Sequence, residues 1–424
     1  MKYDLIIVGG GPGGLMAAKT AAEDGLNVIL IERKRNITEI HRACVSIFYT
    51  HKLSMVAAAK SDAGEPHRDG YIEPVSVECE PDKTRFHFPV PGFSIDYNGP
   101  LRPYLNWIHV SPSGYPINRY KWNDRPWGFY YHKEAFVAGL LASVEKAGAK
   151  VLPETIGLGA ENTKDGVRVR VRGKSTEQTL EARAAIAADG VNSKIVDSLG
   201  LNEKRKVLFP PFGRVGGIET IMEGVETGLP DSSWVDWVIP SINPHGNITI
   251  GLWADNRHVV GASAAVLDKF MNDPRYAHMF RHARVVEKQA FAAHVLTPIR
   301  EPVAGNVVIV GDAAAPVETW IQGAVAMAYQ AVKAIEKELN GQEGYPQYIN
   351  WWQQAFAFNT PTYIETLDLY LRPLHSVCSD EDIDYIYNLF RDKIGNPIIM
   401  VARNLELIRK NRPELYEKLT KAKL

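Results

Sequence analysis

Three glycines near the start of the chain, Gly9, Gly11 and Gly14, have the G-x-G-x-x-G spacing, with Pro12 and Gly13 between them and an acid, Glu32, downstream. Each glycine has its own physical task. The first makes a tight turn, the second lets a pyrophosphate approach the backbone, and the third lets a helix pack closely on a strand. A helix opening at this point would face the phosphates with free N–H groups and the positive end of its dipole. Glu32 is placed to accept a hydrogen bond from a ribose hydroxyl. This chemistry needs a strand, a turn, a helix and a second strand to hold it. Leu5–Val8 is an apolar run of the length of a buried parallel strand, Leu15, Ala18 and Ala22 recur at helical spacing, and Asn27–Ile31 is a second apolar run ending at Glu32. The alternative is a glycine-rich turn in some other α/β domain. The agreement of all four parts favours dinucleotide binding.

Composition bounds the rest. With 424 residues, 45% of them hydrophobic and 23% charged, the chain can form two or three packed lobes. A net charge of −1 argues against nucleic acid as a partner. Cys44, Cys79 and Cys378 cannot make a disulfide framework and show no C-x-x-C spacing, which points to a reducing compartment. They are also too few for an all-cysteine iron–sulfur cluster, and no metal site is expected. No apolar run approaches the length of a membrane span, so the expected location is cytoplasmic, with at most peripheral membrane contact. The first strand begins close to Met1, which leaves no room for a signal peptide.

Further along, the run 306–310 leads to Gly311-Asp312-Ala313-Ala314, and Ala184–Ala188 leads to Asp189-Gly190. A D-G pair at a strand end is ordinary turn chemistry. Between residues 97 and 131, Tyr97, Tyr104, Trp107, Tyr115, Tyr120, Trp122, Trp127, Phe129, Tyr130 and Tyr131 crowd one segment. They either pack a core or line a pocket for a flat or greasy substrate. Lys133 to Ala147 is expected to be an amphipathic helix, residues 256–282 are expected to be helical, and Gly323-Ala324 is expected to open another helix. The C-terminal part is expected to be helices at 348–358, 363–371, 380–394 and 398–424.

Taken together, the order of these boxes resembles the FAD-dependent para-hydroxybenzoate hydroxylase superfamily, and within it the geranylgeranyl reductases. Glu32, Arg33 and Arg42, with Ala43 beside them, match an E-R...R arrangement whose later arginine reaches the ribityl chain or pyrophosphate of the flavin. Cys44 falls where the geranylgeranyl reductases carry a cysteine in a C-G-G-G-like loop beside the flavin, though Val45, Ser46 and Ile47 stand in place of the glycines. The stretch Ala187–Val196, with Asp189, Gly190 and Ser193, is similar to the A-D-G-x-x-S-x-x-R box near the pyrophosphate. Gly311-Asp312 resembles the G-D box that binds the ribityl chain, with Gly323 and Ala324 in the helix facing the flavin. Trp234-Val-Asp-Trp237-Val-Ile239-Pro240 is similar to the Y-x-W-x-F-P strand of geranylgeranyl reductases and to the W-x-W-x-I-P strand of flavin-dependent halogenases, which places Trp237 and Pro240 on the substrate side. Trp320 is a further residue expected to face the flavin or the substrate.

The resemblance implies an α/β fold. Its Rossmann-type, glutathione-reductase-like FAD-binding domain would comprise residues 1–74, 130–200 and 287–345. An inserted antiparallel substrate-binding sheet would span 75–129 and 201–286, with a C-terminal helical region over 346–424. It implies a reductase that passes hydride from flavin to a C=C bond of a prenyl or other hydrophobic substrate, with Cys44, His41 or an ordered water as proton source. Two alternatives share the fold: a monooxygenase or halogenase acting on an aromatic substrate, and a quinone-linked electron-transfer flavoprotein. No second G-x-G-x-x-G is present for a nicotinamide domain. The external reductant would therefore be transient NAD(P)H, a ferredoxin-like donor or a quinol.

Overall fold

The computed structural model describes residues 3–40, 42–44, 46–51, 74–80, 83–121, 125–174, 176–207, 214–294, 296–315, 320–355 and 374–422. His41, Trp122, most of the 52–75 stretch and the expected helix at 363–371 lie outside these residues.

The first strand, Tyr3–Val8, pairs in parallel with Val28–Ile31 on one side and with the end of Glu177–Ala187 on the other. Lys150–Leu152 extends this sheet beyond Val28–Ile31, and Val307–Ile309 runs parallel to the end of Glu177–Ala187. The stretches Leu5–Val8, Val28–Ile31, Ala184–Ala187 and Val307–Ile309 are apolar and buried, as strands of a parallel sheet covered by helices are. The first helix, Pro12–Glu23, packs its Leu15, Ala18 and Ala21 into the core, together with Lys133–Lys146 and Trp320–Leu339. The start of Glu177–Ala187 pairs antiparallel with Gly166–Arg172, a strand whose Val167, Val169 and Val171 are buried and whose arginines alternate outward.

A second sheet of seven strands forms a separate layer. Its order is Arg284–His294, Arg214–Glu223, His258–Gly261, Ile248–Leu252, Ser233–Trp237, Asn106–Val110 and Pro116–Lys121. The strand Arg284–His294 runs through the expected boundary at residue 287, so the substrate-side sheet extends to His294. The expected helix at 256–282 begins instead as the strand His258–Gly261, where β-branched Val259 and Val260 suit a sheet, and only Ala264–Asn272 is α-helical. A three-stranded sheet, Ile47–Tyr49, Gly128–Tyr131 and Leu101–Tyr104, links the two layers.

The C-terminal region contains the helices Asp380–Phe390, Pro397–Arg403, Leu405–Asn411 and Pro413–Lys421. The continuous helix expected over 398–424 is broken at Asn404, and again at Arg412-Pro413, where proline cannot continue the preceding turn. This region closes on the seven-stranded sheet: Asp384 accepts hydrogen bonds from the Ser111 and Ser113 hydroxyls, and Asp380 accepts from Ser241. Its basic residues are largely paired. Arg412 and Lys418 both bridge buried Asp382. Among the described residues no helix is long and apolar enough to cross a membrane.

Candidate active site

Three corners converge at the C-terminal edge of the parallel sheet. Gly9 has φ +111°, and a Cβ there would overlap the carbonyl of Ala188 and lie 2.8 Å from the nitrogen of Asp189. A Cβ on Gly14 would overlap the carbonyl oxygen of Gly9. A Cβ on Gly13 would lie 3.3 Å from the carbonyl oxygen of Ala324, and one on Gly311 3.5 Å from the Ala324 side chain. The G-x-G-x-x-G turn, the Asp189-Gly190 turn and the Gly311-Asp312 turn are therefore packed against one another, with Ala324 between the first and the third. Gly11 is open, since a Cβ there would meet nothing within 4 Å. That opening lies at the start of the first helix, whose N-cap is Gly11 and which has no side-chain cap, so its first N–H groups are left for a ligand.

Side chains around the opening carry matching polarity. Glu32 is buried, and its carboxylate accepts from the backbone N–H of Gly10 at 2.6 Å and of Lys34 at 2.9 Å. Each carboxylate oxygen keeps a further lone pair for a ribose hydroxyl. Asp312 accepts from Arg42 Nη1 at 3.0 Å, across 270 residues of sequence. Asp189 accepts from the Lys194 N–H at 3.0 Å, while its Oδ1 is buried without a partner. Burial raises the Asp189 carboxyl above the usual carboxylate range. Arg205, which the sequence reading did not single out, fixes the third corner: Nη1 and Nη2 donate to the carbonyls of Ala313 and Ala314, and Nε donates to Thr297. Arg33 is exposed and Ala43 is buried, its N–H donating to Ala290 O. The open backbone at Gly11, the uncapped helix, the buried acid Glu32 and the Arg42–Asp312 pair fit a flavin adenine dinucleotide held along these three corners. The helix carrying Gly323 and Ala324 starts earlier than expected, at Trp320, so these two residues lie in its first turns rather than opening it.

Beside this clasp, a cavity of about 600 Å³ opens against the seven-stranded sheet. Its apolar walls include Ile47, Tyr49, Trp107, Trp127, Trp234 and Val259. The aromatic segment thus does both things expected of it. Tyr97, Tyr104, Tyr130 and Tyr131 are core, whereas Trp107 and Trp127 stack at 4.9 Å and face the cavity. One side of the cavity is polar: Asp236 accepts from Trp107 Nε1 at 2.7 Å and from Thr249 Oγ1 at 2.8 Å, and Asn243, His245 and Asn247 stand nearby on the lining. Behind Asp236, burial drives the His109 imidazole down to about 4, so it is neutral at physiological pH.

The strand Ser233–Trp237 alternates, and this sorts its tryptophans. Trp234 and Asp236 point into the cavity. Trp237 points the other way and packs on Tyr276 at 5.2 Å and Phe270 at 5.9 Å. The structure thus places Trp237 in the core behind the sheet and gives the pocket position to Trp234, because successive side chains of a strand face opposite sides. Pro240 is half-buried at the turn that leads back to Asn243 on the cavity wall. Trp320 does not line the cavity. It has φ +45° and stacks at 5.2 Å on Tyr49, which does.

Cys44 is half-buried and lines a separate small crevice with Arg42, Ser46, His132 and Lys133, not the large cavity. Its backbone N–H donates at 2.9 Å to Glu219 Oε2. Glu219, which the sequence reading did not single out, is buried on the strand Arg214–Glu223 and lines the large cavity. Burial raises its carboxyl to about 7, against the opposing effects of the Cys44 N–H and the charge of Lys133. The sequence offered one signal for it, an acid in the otherwise apolar and small-residue run Gly216–Ile221.

The comparisons with known proteins agree with this geometry. Residues 4–37 match the FAD dependent oxidoreductase family, and residues 131–260 match an FAD binding domain family. A digeranylgeranylglycerophospholipid reductase of Methanothrix thermoacetophila is 24% identical across 98% of both chains. The Methanocaldococcus jannaschii protein of the same name is 25% identical over 83% of this chain and 82% of its own. Among solved structures, a geranylgeranyl bacteriochlorophyll reductase-like protein from Thermoplasma acidophilum superposes with a TM-score of 0.66 at 18% identity, covering 99% of this chain and 98% of that one. The p-nitrophenol 4-monooxygenase of Pseudomonas putida superposes at 0.62 and 13% identity, covering 96% and 97%. These likenesses establish the FAD-binding fold.

Proposed function

On the premise that the chain belongs to the FAD-dependent oxidoreductases of the para-hydroxybenzoate hydroxylase superfamily, on its geranylgeranyl-reductase side, we propose that it reduces carbon–carbon double bonds of a prenyl lipid or a similarly apolar substrate. The observation that carries this reading is the cavity of about 600 Å³ beside the clasp, with an aromatic wall formed by Tyr49, Trp107, Trp127 and Trp234 and a polar side opposite. Small-molecule sites are mostly apolar, with a handful of polar side chains fixing orientation. Bound FAD would supply a two-electron reductant able to give up hydride.

The chain's own residues would do the rest. The N-terminus of the first helix and Gly11 would hold the pyrophosphate, Glu32 the ribose, and Asp312 with Arg42 the ribityl hydroxyls. Trp107, Trp127 and Trp234 would exclude water and hold a flat alkene segment. The relatives named digeranylgeranylglycerophospholipid reductase support a hydrophobic lipid substrate. The electron donor in this reading is external: NAD(P)H, a ferredoxin-like protein or a quinol.

The test is anaerobic. Protein reconstituted with FAD and reduced with dithionite regains its yellow colour when a polyunsaturated prenyl lipid is added and stays bleached with the saturated analogue. A flavin that ignores both lipids but forms a long-lived peroxyflavin with dioxygen contradicts the reading and favours a monooxygenase.

A further inference from the structure

Alkene reduction needs a hydride at one carbon and a proton at its neighbour. We propose that Glu219 is the acid that delivers this proton, a step that rests on the reductase reading above. The carboxyl sits where clasp and cavity meet. It lines the cavity, and its Oε2 is tied to the N–H of Cys44, two residues from the Arg42 that pairs with Asp312. Cys44 itself lines the crevice on the other side of this contact, so its thiol is not among the groups presented to the large cavity.

The balance is simple. The π bond breaks and two C–H bonds form. Bound, reduced FAD would supply the hydride and its two electrons. The proton is the share of Glu219, which is left as carboxylate and regains a proton from water.

The surroundings suit an acid that is protonated when it acts. Its cross-strand neighbours, Gly261 on His258–Gly261 and Gln289 on Arg284–His294, carry no charge. Among the described residues the charge of Lys133, from the helix Lys133–Lys146, acts on it, and Arg42, His132, Glu134, Arg257 and Glu287 lie around the crevice that Cys44 lines. Burial outweighs Lys133 and places the carboxyl near neutrality, the range in which general acids work best. The other buried acid of the cavity, Asp236, is occupied by Trp107 and Thr249.

Glu219→Gln separates proton delivery from positioning, because glutamine can still accept the Cys44 N–H through its carbonyl oxygen but has no acidic proton. FAD content and visible spectrum show whether the variant is folded, and Glu219→Asp serves as a second variant that keeps the acid but shortens its reach. Expected for E219Q are wild-type FAD binding, single-turnover lipid reduction slowed by about 10²-fold or more, and loss of the wild-type fall in rate above pH 7, with E219D intermediate. Independently of turnover, infrared difference spectra of the wild type between pH 5 and 8 should show loss of a protonated carboxyl band that is missing in E219Q. An E219Q variant with the wild-type rate and pH profile overturns the proposal, as does an unchanged carboxyl band in E219Q. A wild type that reduces no prenyl lipid at any pH instead overturns the reductase reading, and the proton step falls with it.

Discussion

Burying Glu219 has a consequence for stability that can be measured without any substrate. Its carboxyl rises from 4.5 to about 7 on folding, with burial as the main cause and the Cys44 N–H and Lys133 opposing it. The folded chain therefore holds this proton more tightly than the unfolded chain. Stability associated with the group is fully present below pH 4.5 and is lost as pH rises through about 7. A tenfold change in proton affinity is worth about 1.36 kcal/mol, so the wild type should lose roughly 3 kcal/mol through this one group between pH 4.5 and pH 8. Other groups titrate over the same interval, and Glu219→Gln isolates the effect because glutamine does not titrate. Urea unfolding of both proteins at four or five pH values gives the difference directly. The gap between them should shift in favour of E219Q by about 3 kcal/mol from the acid end to the alkaline end, most of it between pH 5 and 7. A gap constant across the range would show that Glu219 is not held neutral in the fold, and the reasoning from its burial would be refuted.

Three further outcomes follow from the same geometry. Gly11→Ala meets no protein atom, so unfolding free energy should stay within about 1 kcal/mol of wild type while FAD affinity falls; Gly14→Ala overlaps the Gly9 carbonyl and should cost both, with about 1–3 kcal/mol lost from the fold. Trp237→Ala should cost about 3–5 kcal/mol and leave lipid affinity of the folded fraction unchanged, whereas Trp234→Ala should alter lipid affinity, as read by fluorescence titration with a prenyl lipid. Arg42→Ala should change unfolding free energy by no more than about 1 kcal/mol, because its side chain is 45% exposed, but should lower FAD affinity measured by calorimetry.

The dinucleotide turn was legible because its parts are local: Gly9, Gly11, Gly14 and Glu32 lie within one strand–helix–strand unit, and each residue type answers a steric or hydrogen-bonding demand. The strand edges of Val307–Ile309 and Ser233–Trp237 were legible for the same reason, as short apolar or alternating runs between turn residues. What one strand's sequence does not carry is which of its faces meets which layer. The W-x-I-P likeness drew attention to Trp237, but the packing of Phe270 and Tyr276 behind the sheet sends that ring into the core and leaves Trp234 and Asp236 for the cavity. Arg205 and Glu219 escaped for a related reason. Each acts through a long-range contact, Arg205 on the Ala313 and Ala314 carbonyls and Glu219 on the Cys44 N–H, 175 residues away in the second case. The stretch at 256–282 misled because the valines at 259 and 260 pair with Arg214–Glu223 and Ile248–Leu252, a tertiary demand that overrides local periodicity.

The central claim is that a flavin clasped by three backbone corners reduces an apolar alkene in the adjoining cavity. Mass spectrometry of a polyunsaturated prenyl lipid, recovered after anaerobic mixing with the stoichiometrically reduced holoprotein, tests it most directly. The account predicts a gain of two hydrogens per flavin reoxidised, and of two deuterium atoms when reduction and mixing are both done in D2O, because the flavin N5–H exchanges with solvent. Lipid recovered at its original mass, from protein that has bound both FAD and the lipid, would contradict it.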